Sequence, residues 1–111
     1  MNPYLADVVA CGRAFSDGTT NGANYFARGC TVARSAAGTY TIVTDRALAD
    51  DQYFVVIDSE TADRCTKIVS ITPATRTIAL KTRSVAVPAD ADTVFNFAVL
   101  KVAGGGGATG L

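Results

Sequence analysis

The stretch 93–102, TVFNFAVLKV, constrains the fold of this chain more than any other. Read at the two-residue period of a strand, one face carries Val94, Asn96, Ala98, Leu100 and Val102, and the other Phe95, Phe97 and Val99. The aromatic and β-branched residues, with Pro88-Ala89-Asp90 upstream and four glycines from Gly104 onward, favour a strand over a helix. Both faces are mostly apolar, so such a strand needs cover on each side. Tyr53 to Ser59, YFVVIDS, repeats the pattern, with Tyr53, Val55 and Ile57 opposite Phe54 and Val56.

The remaining segments read as shorter strands joined by turns. Leu5 to Phe15 is a first strand, with Gly12 marking a bulge or a close backbone approach. The polar run from Ser16 to Asn24 holds both Asp-Gly and Asn-Gly and reads as a long exposed loop, either a solvated connection or a contact site at one end of the fold. Cys30 to Arg34 is a short run, Ser35 to Gly38 a turn, and Thr39 to Thr44 alternates with Tyr40 and Ile42 on one face. Asp45 to Gln52 has room for one helical turn. Thr66 to Thr72, with Val69 and Ile71 sharing a face with Lys67, pairs through a Pro73 turn with Arg76 to Arg83, where Ile78 and Leu80 share a face. Ser84 to Val87 is apolar enough to continue or begin a strand, and an acidic linker, Ala89 to Asp92, leads to the last one. Turn signals every eight to twelve residues and almost no helical periodicity predict an all-β fold, an antiparallel β-sandwich or jelly roll of six to eight short strands. At 111 residues the expectation is one domain over 1–103, followed by a flexible glycine-rich tail over 104–111.

Composition narrows the chemistry. Ten basic residues balance ten acidic ones and are scattered singly, so no patch for nucleic acid or anionic lipid emerges. No apolar run reaches the ~20 residues of a membrane helix, and no basic segment precedes the short apolar stretch at the N-terminus, so the chain is expected to stay where it is made. Three cysteines, Cys11, Cys30 and Cys65, lack metal-binding spacing and read as reduced thiols packed in a core; with no histidine in the chain, a thiol nucleophile would lack its usual partner. Acid and base work would fall to Asp50 with Asp51, Asp58 with Glu60 and Asp63, or Asp90 with Asp92, each set in a loop or at a strand end where carboxylates commonly serve solubility and turns. Asp90 and Asp92 offer oxygen ligands to calcium but depart from the EF-hand pattern. The expectation is therefore no enzyme, no cofactor and no metal. With no amphipathic helix to cap a strand that is apolar on both sides, a neighbouring subunit is the economical cover.

The run Gly29 to Glu60, the alternating hairpin after it and the closing segment DTVFNFAVLKVAGGGG resemble small virion proteins of tailed bacteriophages. The motifs that carry the resemblance are Gly38-Thr39-Tyr40-Thr41-Ile42, the strand Tyr53-Phe54-Val55-Val56-Ile57 and the apolar terminal strand. Those proteins are trimeric jelly rolls of the tumour-necrosis-factor-like type, serving as capsid decoration (cement) proteins or fibre tips. The resemblance implies a homotrimer on the capsid surface of a virion, made in the host cytoplasm, with the major capsid protein or another virion protein as partner and neither nucleic acid nor membrane. It makes Tyr53, Val55, Ile57, Phe95, Phe97 and Val99 the candidate subunit interface, and Tyr4, Leu5, Asp17 and Asn21 the candidate capsid-docking residues. Stand-alone length favours a decoration protein over the alternative, a trimeric fibre or receptor-binding tip.

Overall fold

The computed structural model describes residues 6–48 and 53–102, with the side chains of Ala6, Asp7 and Val102 left aside. It is an all-β sandwich of two antiparallel sheets. Among the described residues nine strands run in chain order: β1 Ala6–Ala14, β2 Phe26–Arg28, β3 Cys30–Ala36, β4 Thr39–Thr44, β5 Tyr53–Ser59, β6 Arg64–Thr72, β7 Thr77–Ser84, β8 Ala89–Asp90 and β9 Phe95–Val102. The first sheet has the order β2-β1-β9-β5, and the second β3-β4-β7-β6 with β8 paired to β7. Two strands of three and two residues, β2 and β8, carry the count above the expected six to eight.

The two sheets face each other through one apolar core. Val9, Ala10, Ala14, Phe95, Phe97 and Val99 come from the first sheet, and Cys30, Tyr40, Ile42, Ile78 and Leu80 from the second. Leu48, in the connection after β4, is buried among them, and no helical turn forms over the described part of that connection, 45–48. Alternation explains β4 and β7 directly. Tyr40 and Ile42 are opposite Leu80 and Ile78 in register and point inward, while Thr39, Thr41, Thr77, Ala79 and Lys81 point outward.

Two bulges shift that simple pattern. In β1 the register slips between Val8 and Ala10, so Val8 points outward while Val9 and Ala10 are both buried. In β6 the slip lies between Ile68 and Ser70, so Ile71 lines up with buried Ile78 and packs against the core. Ile71 therefore does not share the face of Lys67 and Val69; the extra residue reverses the alternation. Gly12 is a site of close approach, because a Cβ there would lie 2.4 Å from the Phe26 carbonyl oxygen and 2.8 Å from the Phe97 ring. Beyond Ser84 the chain turns rather than continuing as a strand, and Val85 and Val87 are exposed.

A polar clamp closes one end of the sandwich. The Tyr40 hydroxyl, on the second sheet, donates to the Ser16 carbonyl at 2.7 Å and accepts the Thr93 N–H at 3.2 Å, reaching both chain segments that flank the first sheet. Burial pushes its pKa up to about 12, so the ring serves as a neutral strut, edge-on to Phe95 at 4.8 Å. Asp92 accepts the Gly38 N–H at 2.7 Å and pairs with Arg34 at 2.9 Å, while Arg64 donates to the Asp92 carbonyl at 3.0 Å. Arg34 foremost holds the Asp92 carboxyl below its ordinary range. Gly38 has φ 65°, and an added Cβ would lie 2.3 Å from the Thr82 carbonyl oxygen, so only glycine fits this turn. Each buried threonine hydroxyl, at Thr44, Thr82 and Thr93, has a carbonyl to bond, and no described buried side-chain polar atom lacks a partner.

Candidate functional site

The outer face of the first sheet is the unusual surface. Cross-strand register places Val8, Leu100 and Phe54 side by side in one rung, and Cys11, Ala98 and Val56 in the next. Val8 is 58%, Phe54 46% and Val56 49% exposed, with Cys11, Ala98 and Leu100 half-buried beside them. A dent of about 190 Å³ opens among Val56, Asp58, Asn96 and Ala98, smaller than an ordinary small-molecule pocket.

The third rung, Phe26, Arg13, Asn96 and Asp58, turns polar. Glu60 takes both arms of the Arg13 guanidinium, at 2.5 and 2.7 Å, and accepts from the Asn96 amide at 2.8 Å. Arg13 also donates to the Asn24 carbonyl at 3.0 Å and lies 5.0 Å from the centroid of the Tyr25 ring, which meets Phe15 edge-on. The Arg13 bonds, then Asn96, hold the Glu60 carboxyl down at about 2. Arg28 and Asp58 have no hydrogen-bond or ion-pair partner among the described residues, and they flank the apolar rungs from opposite edges of the sheet.

The six candidate interface residues lie on the other side of these strands. Phe95, Phe97 and Val99 are core residues of a single copy, and Tyr53, Val55 and Ile57 are half-buried against the same core. The apolar surplus of β5 and β9 faces outward through Phe54, Val56, Ala98 and Leu100 instead. The sequence held the signal that orients them: Asp58 shares a face with Phe54 and Val56, and Asn96 with Ala98 and Leu100, and a polar residue at the end of a stripe marks the wet side.

Of the candidate docking residues, Tyr4 and Leu5 lie outside the described residues. Asp17 and Asn21 are exposed in the loop after β1, where Asp17 accepts the Thr19 N–H at 2.9 Å and so closes a turn. Thr19, through its side chain foremost and then this N–H, holds the Asp17 carboxyl below its ordinary range. The loop leaves the end of β1 opposite Ala6, a strand of nine residues and so roughly 30 Å away.

No family model, curated protein or solved structure matches this chain. Its reading rests on residue chemistry. Among the described residues no group of three His, Cys, Asp or Glu side chains is placed to hold a metal ion. The described carboxylates proposed for acid and base work are mostly engaged by cations: Glu60 by Arg13, Asp63 by Arg64, Asp90 by Lys81 and Arg83, and Asp92 by Arg34. Asp63 further accepts from the Ser84 hydroxyl and the Ala86 N–H, bonds that lower its pKa and fix the turn after β7. Cys30 is buried, which pushes its thiol up to about 11 and away from thiolate chemistry.

Proposed function

We propose that this chain is a structural assembly protein, a capsid decoration (cement) protein that works as a homo-oligomer, with its copies meeting on the outer face of the β2-β1-β9-β5 sheet. The observation that carries the reading is the exposed row of Val8, Phe54 and Val56 on a sheet whose opposite face already fills the core. Fully burying a side chain of this kind is worth ~1.5–3 kcal/mol, so covering the halves still showing contributes roughly 1 kcal/mol for each. A second copy is the occupant that fits: at one edge of the apolar rungs each copy carries a cation, Arg28, and at the other an anion, Asp58, neither with a partner among the described residues. A face turned onto its own twin pairs the two twice over. The likeness to tailed-phage virion proteins supplies the lattice that such an oligomer would bind, and binding to the assembled shell would raise shell stability by mass action.

Mass measurement in solution tests the first half. The wild-type chain is expected to be an oligomer, and Phe54→Glu or Val56→Lys a folded monomer. A wild-type chain that stays monomeric at high concentration ends the assembly reading. Co-sedimentation with purified capsids tests the second half. An oligomer that ignores the shell but binds cells would be a fibre tip instead.

A further inference from the structure

The opposite side of the sandwich carries a second surface that self-association through the first sheet leaves free. On the outer face of the second sheet, Cys65, Lys67, Val69, Lys81, Arg83 and Asp90 line a concavity of about 660 Å³, within the size range of small-molecule sites. Its strands place like charges together: Lys67 is the direct cross-strand partner of Lys81, and Arg83 lies one rung further along beside Cys65. Side chains directly opposite on antiparallel strands have Cβ atoms about 4.5–5.5 Å apart, and like charges in that position destabilise a sheet.

One carboxylate answers these cations. Asp90, carried in by the short pairing of β8 with β7, bonds Lys81 at 3.2 Å and lies 3.5 Å from Arg83. Lys67 has no partner among the described residues. Three cations against one carboxylate leave an excess of two positive charges in a single depression. By contrast Arg13, Arg34 and Arg64 each have an acidic partner of their own.

We infer that this depression binds a phosphate monoester. Such a group carries about −1.5 to −2 charge near neutral pH, which matches the excess, whereas a lone carboxylate would leave one cation unanswered. Three acceptor oxygens suit Lys67 and Lys81 from the floor and Arg83 from the side. Val69, 53% exposed at the bulge of β6, adds an apolar wall for the organic part of the ester. Val69 stands beside Lys67 by plain alternation, and the bulge that follows it leaves Ser70 exposed and turns Ile71 inward.

Calorimetric titration of the full chain at low ionic strength, with phenyl phosphate, inorganic phosphate and benzoate as probes, tests this. Phenyl phosphate is expected to bind saturably and more tightly than either of the others. Lys67→Ala, an exposed substitution outside the core, is expected to weaken it about tenfold, the scale of one charge-assisted hydrogen bond. Asp90→Asn, which removes the competing negative charge, is expected to tighten it. Absence of saturable binding, or a Lys67→Ala variant that binds as wild type does, overturns the inference. So does preference for a glutamate-rich peptide over phenyl phosphate, which would make the depression a protein-docking site. Phe54→Glu should abolish self-association and keep phosphate binding, so the two readings fail independently.

Discussion

The two outward faces of this sandwich are built from strands of similar length and treat water in opposite ways. The second sheet shows Thr31, Ala33, Thr39, Thr41, Thr77, Ala79, Lys67 and Lys81 with Val69 as the large hydrophobic exposed among them, mostly the wet side expected of an antiparallel sheet with one face on a core. The first sheet shows Val8, Phe54, Val56, Ala98 and Leu100. Both sheets are antiparallel, so the difference in how they meet water lies in the side chains. Stability of one copy needs an apolar inner face only; an apolar outer face adds nothing to it and points to a demand from outside the chain.

Substitutions on either side of the same two strands break that comparison most sharply. Phe95→Ala opens a hole in the core and should cost about 3–5 kcal/mol in urea unfolding. Phe54→Glu, one strand away on the outer face, should leave the unfolding of the monomer nearly unchanged and remove association. If Phe54→Glu unfolded the chain as Phe95→Ala does, the outer face would be part of the fold and not a surface for partners.

The clamp at the end of the sandwich comes next in size. Gly38→Ala forces a Cβ against the Thr82 carbonyl at positive φ and should cost roughly 1–3 kcal/mol, visible as a lowered urea midpoint with an unchanged slope. The smallest effect belongs to Glu60. Its pKa lies at about 2 in the fold against an ordinary 4.5, so its contribution is complete above pH 4.5 and fades as pH falls toward 2. Wild type and Glu60→Gln should therefore differ in unfolding midpoint at neutral pH and converge at the acid end of that window; a difference that persisted there would place the effect outside the carboxylate.

Much of this was legible in the residues. Tyr40 with Ile42, and Ile78 with Leu80, announced β4 and β7 together with their inward faces, because the opposite positions hold threonine and lysine. β5 and β9 were legible as strands but not in orientation, since period two says which residues share a face and not which face is inside. Only Asp58 and Asn96 broke that symmetry. The bulges at Val9 and Val69 were hidden, because an inserted residue leaves no mark of its own in a run of valines and isoleucines. Asp92 was hidden for another reason: in the sequence it is one more acid in a linker, and its partners Arg34, Gly38 and Tyr40 lie more than fifty residues upstream. The Lys67 and Lys81 pairing likewise exists only once register is known.

The central pairing of β1 with β9 has a practical corollary. Ala6 and Val102 are cross-strand partners, about 5 Å apart at their α-carbons, so the first and last described residues of the sandwich share a single pole. The loop that holds Asp17 and Asn21 occupies the far pole. Rejoining the chain across the first gap and cutting it within that loop would yield a rearranged gene product with every strand neighbour intact, and cargo could be hung from either pole at will.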